Sequence, residues 1–310
     1  MSEYHVPVLL NEVVQALAPK SGQRHIDGTL GGAGHAQALL QAGSPDSLLL
    51  GIDRDEEAIT QAANRLASEQ NRITLVHGNY QQMVQIAHSN GMHEVDGILL
   101  DLGLSSHQID DASRGFSYMQ DAILDMRQDR GQALTAQTVV NTYDKAALTR
   151  IISVYGEERW ASRIASFIVE TRQKAPITTT GQLVALIDAA IPQAARRGGK
   201  HPARRTFQAI RIEVNNEIIP LEKAFNDAFT LLKKGGRLAI ISFHALEHRA
   251  VKSVFNTLVD PCTCPKGAPI CFCGKVPQAK WIVRKATGAR QETEENSRAK
   301  SAQLRVIERI

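Results

Sequence analysis

Three aspartates carry the first chemical signal in this chain, because each stands where an apolar run ends. Asp27 follows Arg24-His-Ile, Asp53 ends Leu48-Leu-Leu-Gly-Ile, and Asp101 ends Gly97-Ile-Leu-Leu. Asp27 opens into Gly28-Thr-Leu-Gly-Gly-Ala-Gly34-His35. Gly28, Gly31, Gly32 and Gly34 let a backbone approach a ligand closely and take up positive φ. They also suit a tight strand-to-helix turn for packing alone. Asp53 lies about 20 residues beyond the turn, the spacing of a carboxylate that accepts ribose hydroxyls. The dinucleotide fingerprint G-x-G-x-x-G is incomplete, since Gln37 stands where the third glycine belongs. That argues against a pyrophosphate ligand, and so against an NAD(P)-dependent oxidoreductase. A ligand with ribose and adenine but no phosphate, such as S-adenosylmethionine, fits better. Asp27 can take its cationic amino group.

The elements that must hold these acids follow from periodicity. An N-terminal helix is expected over Val6–Leu17. Strands are expected at Arg24–Asp27, Ser47–Ile52, Ile73–His77 and Gly97–Leu100, alternating with helices at Ala33–Gln41, Glu56–Ala67 and near Gln81–His88. Such alternation implies a parallel sheet with right-handed crossovers, whose ligands bind outside the carboxyl ends of the strands. After Asp101 the rhythm stops. From about Ser105 to Arg197 the pattern is helical, at Ala146–Val154, Arg159–Arg172 and Thr180–Ala190. A long helical pattern then runs from Phe207 to Leu232, with Pro220 inside it to kink or split it and Gly235-Gly236 to stop it. A strand at Arg237–Ser242, a helix at Ala245–Leu258 and two late strands, Trp281–Lys285 and Gln303–Arg309, complete the reading. A late strand pair closing a parallel sheet is typical of methyltransferases that use S-adenosylmethionine. The expected fold is therefore α/β: a Rossmann-like class I methyltransferase sheet domain, residues 1–104 and 198–310, with an inserted all-helical domain, residues 105–197, for substrate recognition.

Bulk properties narrow the class further. A net charge of +4 leans toward a polyanionic partner. The first residues carry no basic stretch before an apolar run, and no stretch reaches membrane-spanning length. A cytoplasmic location with no membrane partner is expected. The basic stretch holding Arg196, Arg197, Lys200, Arg204 and Arg205, with Arg211 beyond, is either a solvated surface or an RNA contact. Its place beside the expected insert favours RNA. All four cysteines form C-x-C, six residues, C-x-C: Cys262, Cys264, Cys271 and Cys273. They either hold one structural zinc ion or stay as free thiols; four ligands would leave no open catalytic position.

The run of motifs resembles the RsmH (MraW) family nearly end to end. The matching stretches include Asp27-Gly-Thr-Leu-Gly-Gly-Ala-Gly-His35, Gly51-Ile-Asp-Arg-Asp55, Asp96-Gly-Ile-Leu-Leu-Asp101, Arg114-Gly-Phe-Ser117, Leu124-Asp-Met-Arg127 and Ile240-Ile-Ser-Phe-His244. Family members often carry an aromatic residue where Leu30 stands, and Phe where Tyr80 stands. The resemblance implies methylation of the N4 amine of a cytosine in 16S ribosomal RNA of the small subunit. N4 methylation of a cytosine in another RNA or in DNA is the alternative. A non-catalytic RNA-binding protein on the same fold is argued against by the intact acids. The resemblance further implies cofactor contacts from Ala33, Gly34, His35, Asp53, Tyr80, Asp101 and Gln108.

The exocyclic amine is a weak nucleophile, because its lone pair is delocalised into the ring. It must be aimed and its growing charge accepted. Asp101 or Ser105 is expected to do this, with Phe243 or Phe116 stacking on the base.

Overall fold

In the computed structural model, residues 7–196, 201–265 and 270–310 are described. The chain divides into two compact units, Met1–Gly103 with Ile219–Ile310, and Leu104–Ile218. The first contains α1 (Leu10–Leu17), β1 (Arg24–Asp27), α2 (Gly34–Ala42), β2 (Leu48–Asp53), α3 (Glu56–Arg65), β3 (Ile73–His77), α4 (Met83–Ser89) and β4 (Val95–Asp101). The second contains α5 (Ser106–Asp110), α6 (Ala136–Thr142), α7 (Lys145–Val154), α8 (Ala161–Arg172), α9 (Thr180–Ala190) and α10 (Arg204–Asn215). The first unit resumes with α11 (Leu221–Thr230), β5 (Leu232–Ser242), α12 (Ala245–Val259), β6 (Ala279–Ala286), α13 (Arg290–Glu295) and β7 (Gln303–Arg309).

The sheet runs β3-β2-β1-β4-β5-β7-β6. Its first five strands are parallel, and β7 lies antiparallel between β5 and β6. That order is the class I methyltransferase sheet expected from the sequence. β4 is buried along its length because both faces are covered, as the unbroken Gly97-Ile-Leu-Leu run requires. Parallel pairing brings the carboxyl ends of β1, β2 and β4 to one edge, and with them Asp27, Asp53 and Asp101. One face of the sheet packs Leu99, Ile241 and Val306 against Val13, Leu17, Ala36 and Leu40 of α1 and α2.

Several boundaries differ from expectation for local reasons. Helix α1 starts at Leu10, after Leu9 takes a left-handed conformation. The segment at Tyr80–Gln82 is a 3-10 turn capped by Asn79, with α4 following it. The long helical pattern splits into α10 and α11, with left-handed Asn216 ending the first and Pro220 preceding the second. Gly235-Gly236 does not stop the helix. Helix α11 already ends at Thr230, and both glycines lie inside β5. Pairing there slips from Val95↔Leu232 to Gly97↔Arg237, with Gly235 at φ +82°. The pair is a strand irregularity, where Gly235 takes the positive φ and Gly236 leaves room for the Val95 carbonyl oxygen, which a Cβ there would approach to 2.9 Å. The helical unit also extends to Ile218, past the boundary expected at residue 198, because α10 packs with α6 and α7.

Within the helical unit, Thr135, Asp144 and Thr179 cap α6, α7 and α9 through their side chains. The core is apolar at helical spacing, with Val139, Leu148, Ile151, Ile164, Ile168 and Ile187 fully buried. A polar knot holds the loop before α6. The deeply buried Arg114 donates to the carbonyls of Arg127 (3.1 Å) and Gln128 (2.9 Å). Asn215 accepts from the Gln128 amide at 2.8 Å and donates to Met126 at 2.8 Å. Asp125 pairs with Arg127 at 2.8 Å. The Arg114-Gly-Phe-Ser and Leu124-Asp-Met-Arg motifs are thus two halves of one scaffold.

Candidate active site

The turn after β1 ties three strand ends together. The Gly28 amide donates to Leu99 of β4 at 2.9 Å, and the Leu30 amide to Ile52 of β2 at 3.0 Å. The Gly31 amide donates to Asp53 Oδ2 at 2.7 Å, and the Asp101 amide to Thr29 Oγ1 at 2.6 Å. Asp53 Oδ1 also accepts from the Asp55 amide at 2.9 Å. Each Asp53 oxygen keeps a further lone pair, so the carboxylate is held in place and can still accept hydroxyl hydrogens.

Asp27 is the most deeply buried of the three acids. It is 1 % exposed. Oδ1 accepts from the Thr29 amide at 3.2 Å, while Oδ2 is buried without a hydrogen-bond partner among the described residues. Burial pushes its carboxyl up to about 7, the Thr29 amide opposing and the nearby Asp101 and Asp53 adding to the rise. Burial likewise raises Asp53, against its two amide donors. A buried acceptor lacking a donor is costly, and a cationic amine supplies what Asp27 Oδ2 lacks. A pyrophosphate would add negative charge to three acids. The residues present therefore fit the amino acid portion and ribose of S-adenosylmethionine.

The glycines divide between two jobs. A Cβ at Gly34 would lie 2.2 Å from Pro7 Cγ, and one at Gly28 would lie 2.6 Å from Leu100 Cδ2 and Met83 Cε. These two are glycine because protein packs against them. Gly31 and Ala33 turn the chain, at φ +49° and +58°. Ala33 is fully buried and leads directly into α2. In the first turn of α2, His35 Nε2 lies 3.0 Å from the Val8 carbonyl. A carbonyl only accepts, so Nε2 carries the hydrogen. Nδ1 then faces Asp101 Oδ2 at 3.8 Å. Tyr80 stands over the same turn, with its Cβ 3.3 Å from where a side chain at Gly28 would begin. Phe243, just past β5, comes within 3.6 Å of the corresponding point at Gly103.

The remaining candidates belong to the helical unit. Ser105 Oγ accepts from the Gln108 amide at 3.2 Å, and Gln108 Oε1 from the Ser105 amide at 3.1 Å, a reciprocal cap on α5. Phe116 is buried. Arg196, Arg204 and Arg205 are exposed, Arg205 lying 3.8 Å from Glu158. Arg197 and Lys200 lie outside the described residues. Arg211 is engaged by Glu217 at 3.0 and 2.7 Å. In the sheet unit, the four cysteines gather between α12 and β6, their sulfurs within 4.8 Å of one another. Among the described residues, no helix is long and apolar enough to cross a membrane.

Sequence reasoning overlooked Thr29, which links the β1 turn to β4. Its type carries no signal, because its role depends on a strand some 70 residues away.

The family described as the MraW methylase family matches residues 2–310. The protein named ribosomal RNA small subunit methyltransferase H from Symbiobacterium thermophilum is 51% identical over 313 residues, covering 100% of this chain and 98% of that one. The like-named protein of Geobacter sp. (strain M21) is 52% identical over 308 residues, with 99% of each chain covered. That of Acetivibrio thermocellus is 52% identical over 313 residues and matches both chains completely.

Proposed function

Because the chain belongs to the MraW methylase family, we propose that it is a cytoplasmic enzyme that methylates the N4 amine of a cytosine in 16S ribosomal RNA of the small subunit, using S-adenosylmethionine. The observation that carries this reading is full-length identity of 51% or 52% with relatives named for methylation of small-subunit ribosomal RNA. The buried, donor-seeking Asp27 supports the cofactor.

S-adenosylmethionine, when bound, supplies an electrophilic methyl group on sulfur. The chain's residues do the rest by holding. Asp27 Oδ2 accepts from the ligand's ammonium, and Asp53 from the ribose hydroxyls. The turn through Ala33 and Gly34 turns backbone amides toward the amino acid portion, and Tyr80 lays an apolar wall. Gln108 is assigned to the same ligand by its family position. Asp101 accepts a hydrogen from the cytosine amine and stabilises its growing positive charge. His35 Nδ1 beside Asp101 steadies that carboxylate when a proton arrives. Ser105 is the second candidate for the amine; its hydroxyl oxygen already caps α5. Phe243 stacks on the base. Phe116 lies in the interior of its own unit and is the weaker choice. The helical unit recognises the RNA, through Arg196, Arg204 and Arg205 and through Arg197 and Lys200.

The test is transfer of labelled methyl groups to small ribosomal subunits from cells lacking the gene, with mass mapping of the product. Label in cytosine N4 of 16S RNA is expected. Label only in DNA, in another RNA or at another atom overturns the proposal. In the same assay Asp101→Asn lowers kcat about 100-fold; unchanged turnover with unchanged cofactor affinity overturns its role. Arg204→Ala weakens RNA binding several-fold and flattens the slope of log affinity against log salt by about 0.7 to 1. A salt slope equal to the parent's would remove Arg204 from the RNA contact.

A further inference from the structure

We propose that Cys262, Cys264, Cys271 and Cys273 bind one zinc ion as a closed four-thiolate site that clips the loop between α12 and β6. Four sulfurs around one zinc at about 2.3 Å, in tetrahedral array, lie about 3.8 Å apart along each edge. The measured separations are 3.8 Å for Cys262–Cys271, 3.8 Å for Cys264–Cys271, 3.6 Å for Cys271–Cys273 and 3.8 Å for Cys262–Cys273. Disulfides would instead draw the sulfurs into two pairs near 2.05 Å, and all four thiols are free. An iron–sulfur cluster places its cysteines on different metals, farther apart than a single tetrahedral edge. The cage is therefore sized for one metal, and an all-sulfur tetrahedron selects a soft divalent ion such as zinc.

Packing does not explain why these sulfurs converge. The loop is pinched at its neck, where the Gln278 amide donates to Leu258 at 2.8 Å and the Ile310 amide to Gln278 at 3.0 Å. Beyond the neck its large apolar residues face solvent: Ile270 is 77 % exposed, Phe272 74 % and Val276 72 %. Two of the four cysteines are themselves exposed. The described residues of this loop bury so little surface that they give no hydrophobic reason to bring four thiols together. The metal supplies that reason. The Phe272 amide points at Cys264 Sγ at 3.4 Å, a donor that stabilises a thiolate and not a thiol. Left-handed Gly274, at φ +65°, turns the chain immediately after the fourth ligand. On binding, four S–H protons pass to solvent as four Zn–S bonds form, leaving a site of net charge −2. With all four positions filled, the ion has no place for substrate, so it holds the loop.

The experiment begins with metal analysis of the full chain, purified without chelator after growth with zinc. About one zinc per chain is expected, and Cys262→Ser combined with Cys271→Ser lowers it at least tenfold. Titration of the chelated wild-type protein with cobalt(II) then gives the intense tetrahedral thiolate spectrum, saturating at one equivalent. This arm does not depend on whether the variant folds. Zinc removal also speeds tryptic cleavage at Lys275 at least tenfold. Substoichiometric zinc with no tetrahedral cobalt spectrum overturns the proposal, as does iron in place of zinc. Cleavage indifferent to the metal overturns the clip.

Discussion

Asp27→Asn weakens S-adenosylmethionine binding about 100-fold, in line with loss of one partner of a buried charge pair. The parent also binds more tightly as pH rises, which the variant does not. In the unliganded protein burial holds the Asp27 carboxyl up to about 7. Below that pH the acid is mostly protonated, and pairing with a cationic amine must first expel the proton. Affinity therefore falls about tenfold per pH unit below 7 and levels off above it. Asparagine has no proton to lose, so the variant lacks this dependence. Stability runs the other way. The folded chain holds the Asp27 proton up to about 7 and the unfolded chain releases it near 3.8. Between those values the folded state binds more protons, so this group's contribution declines as pH rises and is least favourable above 7. The unliganded variant is accordingly more stable than the parent at pH 8, by about 2–4 kcal/mol. Calorimetric titration and thermal melting from pH 5 to 8 measure both effects. Equal affinity in the two proteins would remove Asp27 from the ligand's amino group.

Gly115→Ala costs about 4 kcal/mol and unfolds the helical unit at a markedly lower temperature. Gly115 sits at φ +68°, and an added Cβ would lie 2.2 Å from the Ile123 carbonyl oxygen and 2.9 Å from the Asp125 amide. Both contacts are backbone, so no side chain can swing aside. The change would pry open the segment that Arg114 and Asn215 hold. Gly91→Ala is the control. It has a similar φ of +72° and, among the described residues, nothing within 4 Å of its added Cβ, so it costs only about 1 kcal/mol of backbone strain. The difference between the two variants isolates the steric part. Equal melting shifts would show that φ alone governs Gly115.

Much of the sheet unit was legible because one pattern served two purposes. An apolar run ending on an acid marks a buried parallel strand, and in a parallel sheet the acids then share an edge. Pro220 split the helical pattern because its ring and missing N–H act locally. Gly235-Gly236 was misread because a helix stop and an irregular strand both call for glycine, and only pairing with β4 distinguishes them. The boundary after the helical unit was hidden for a related reason. The helix α10 carries an ordinary amphipathic pattern, and what it packs on is set by distant helices.

The sequence alone determined the chemistry on offer: three strand-end acids, a phosphate-free cofactor loop, a basic stretch and four paired cysteines. These depend on residue type and short spacing, which local geometry converts directly into position. The tertiary structure decided what each residue is free to do. It assigned Gly28 and Gly34 to packing and left Asp27 Oδ2 buried without a donor among the described residues. It paired Arg211 with Glu217, and it brought four sulfurs within 4.8 Å of one another. Burial, clash and pairing all depend on neighbours contributed by distant segments, and a linear pattern does not contain those neighbours until the chain has folded.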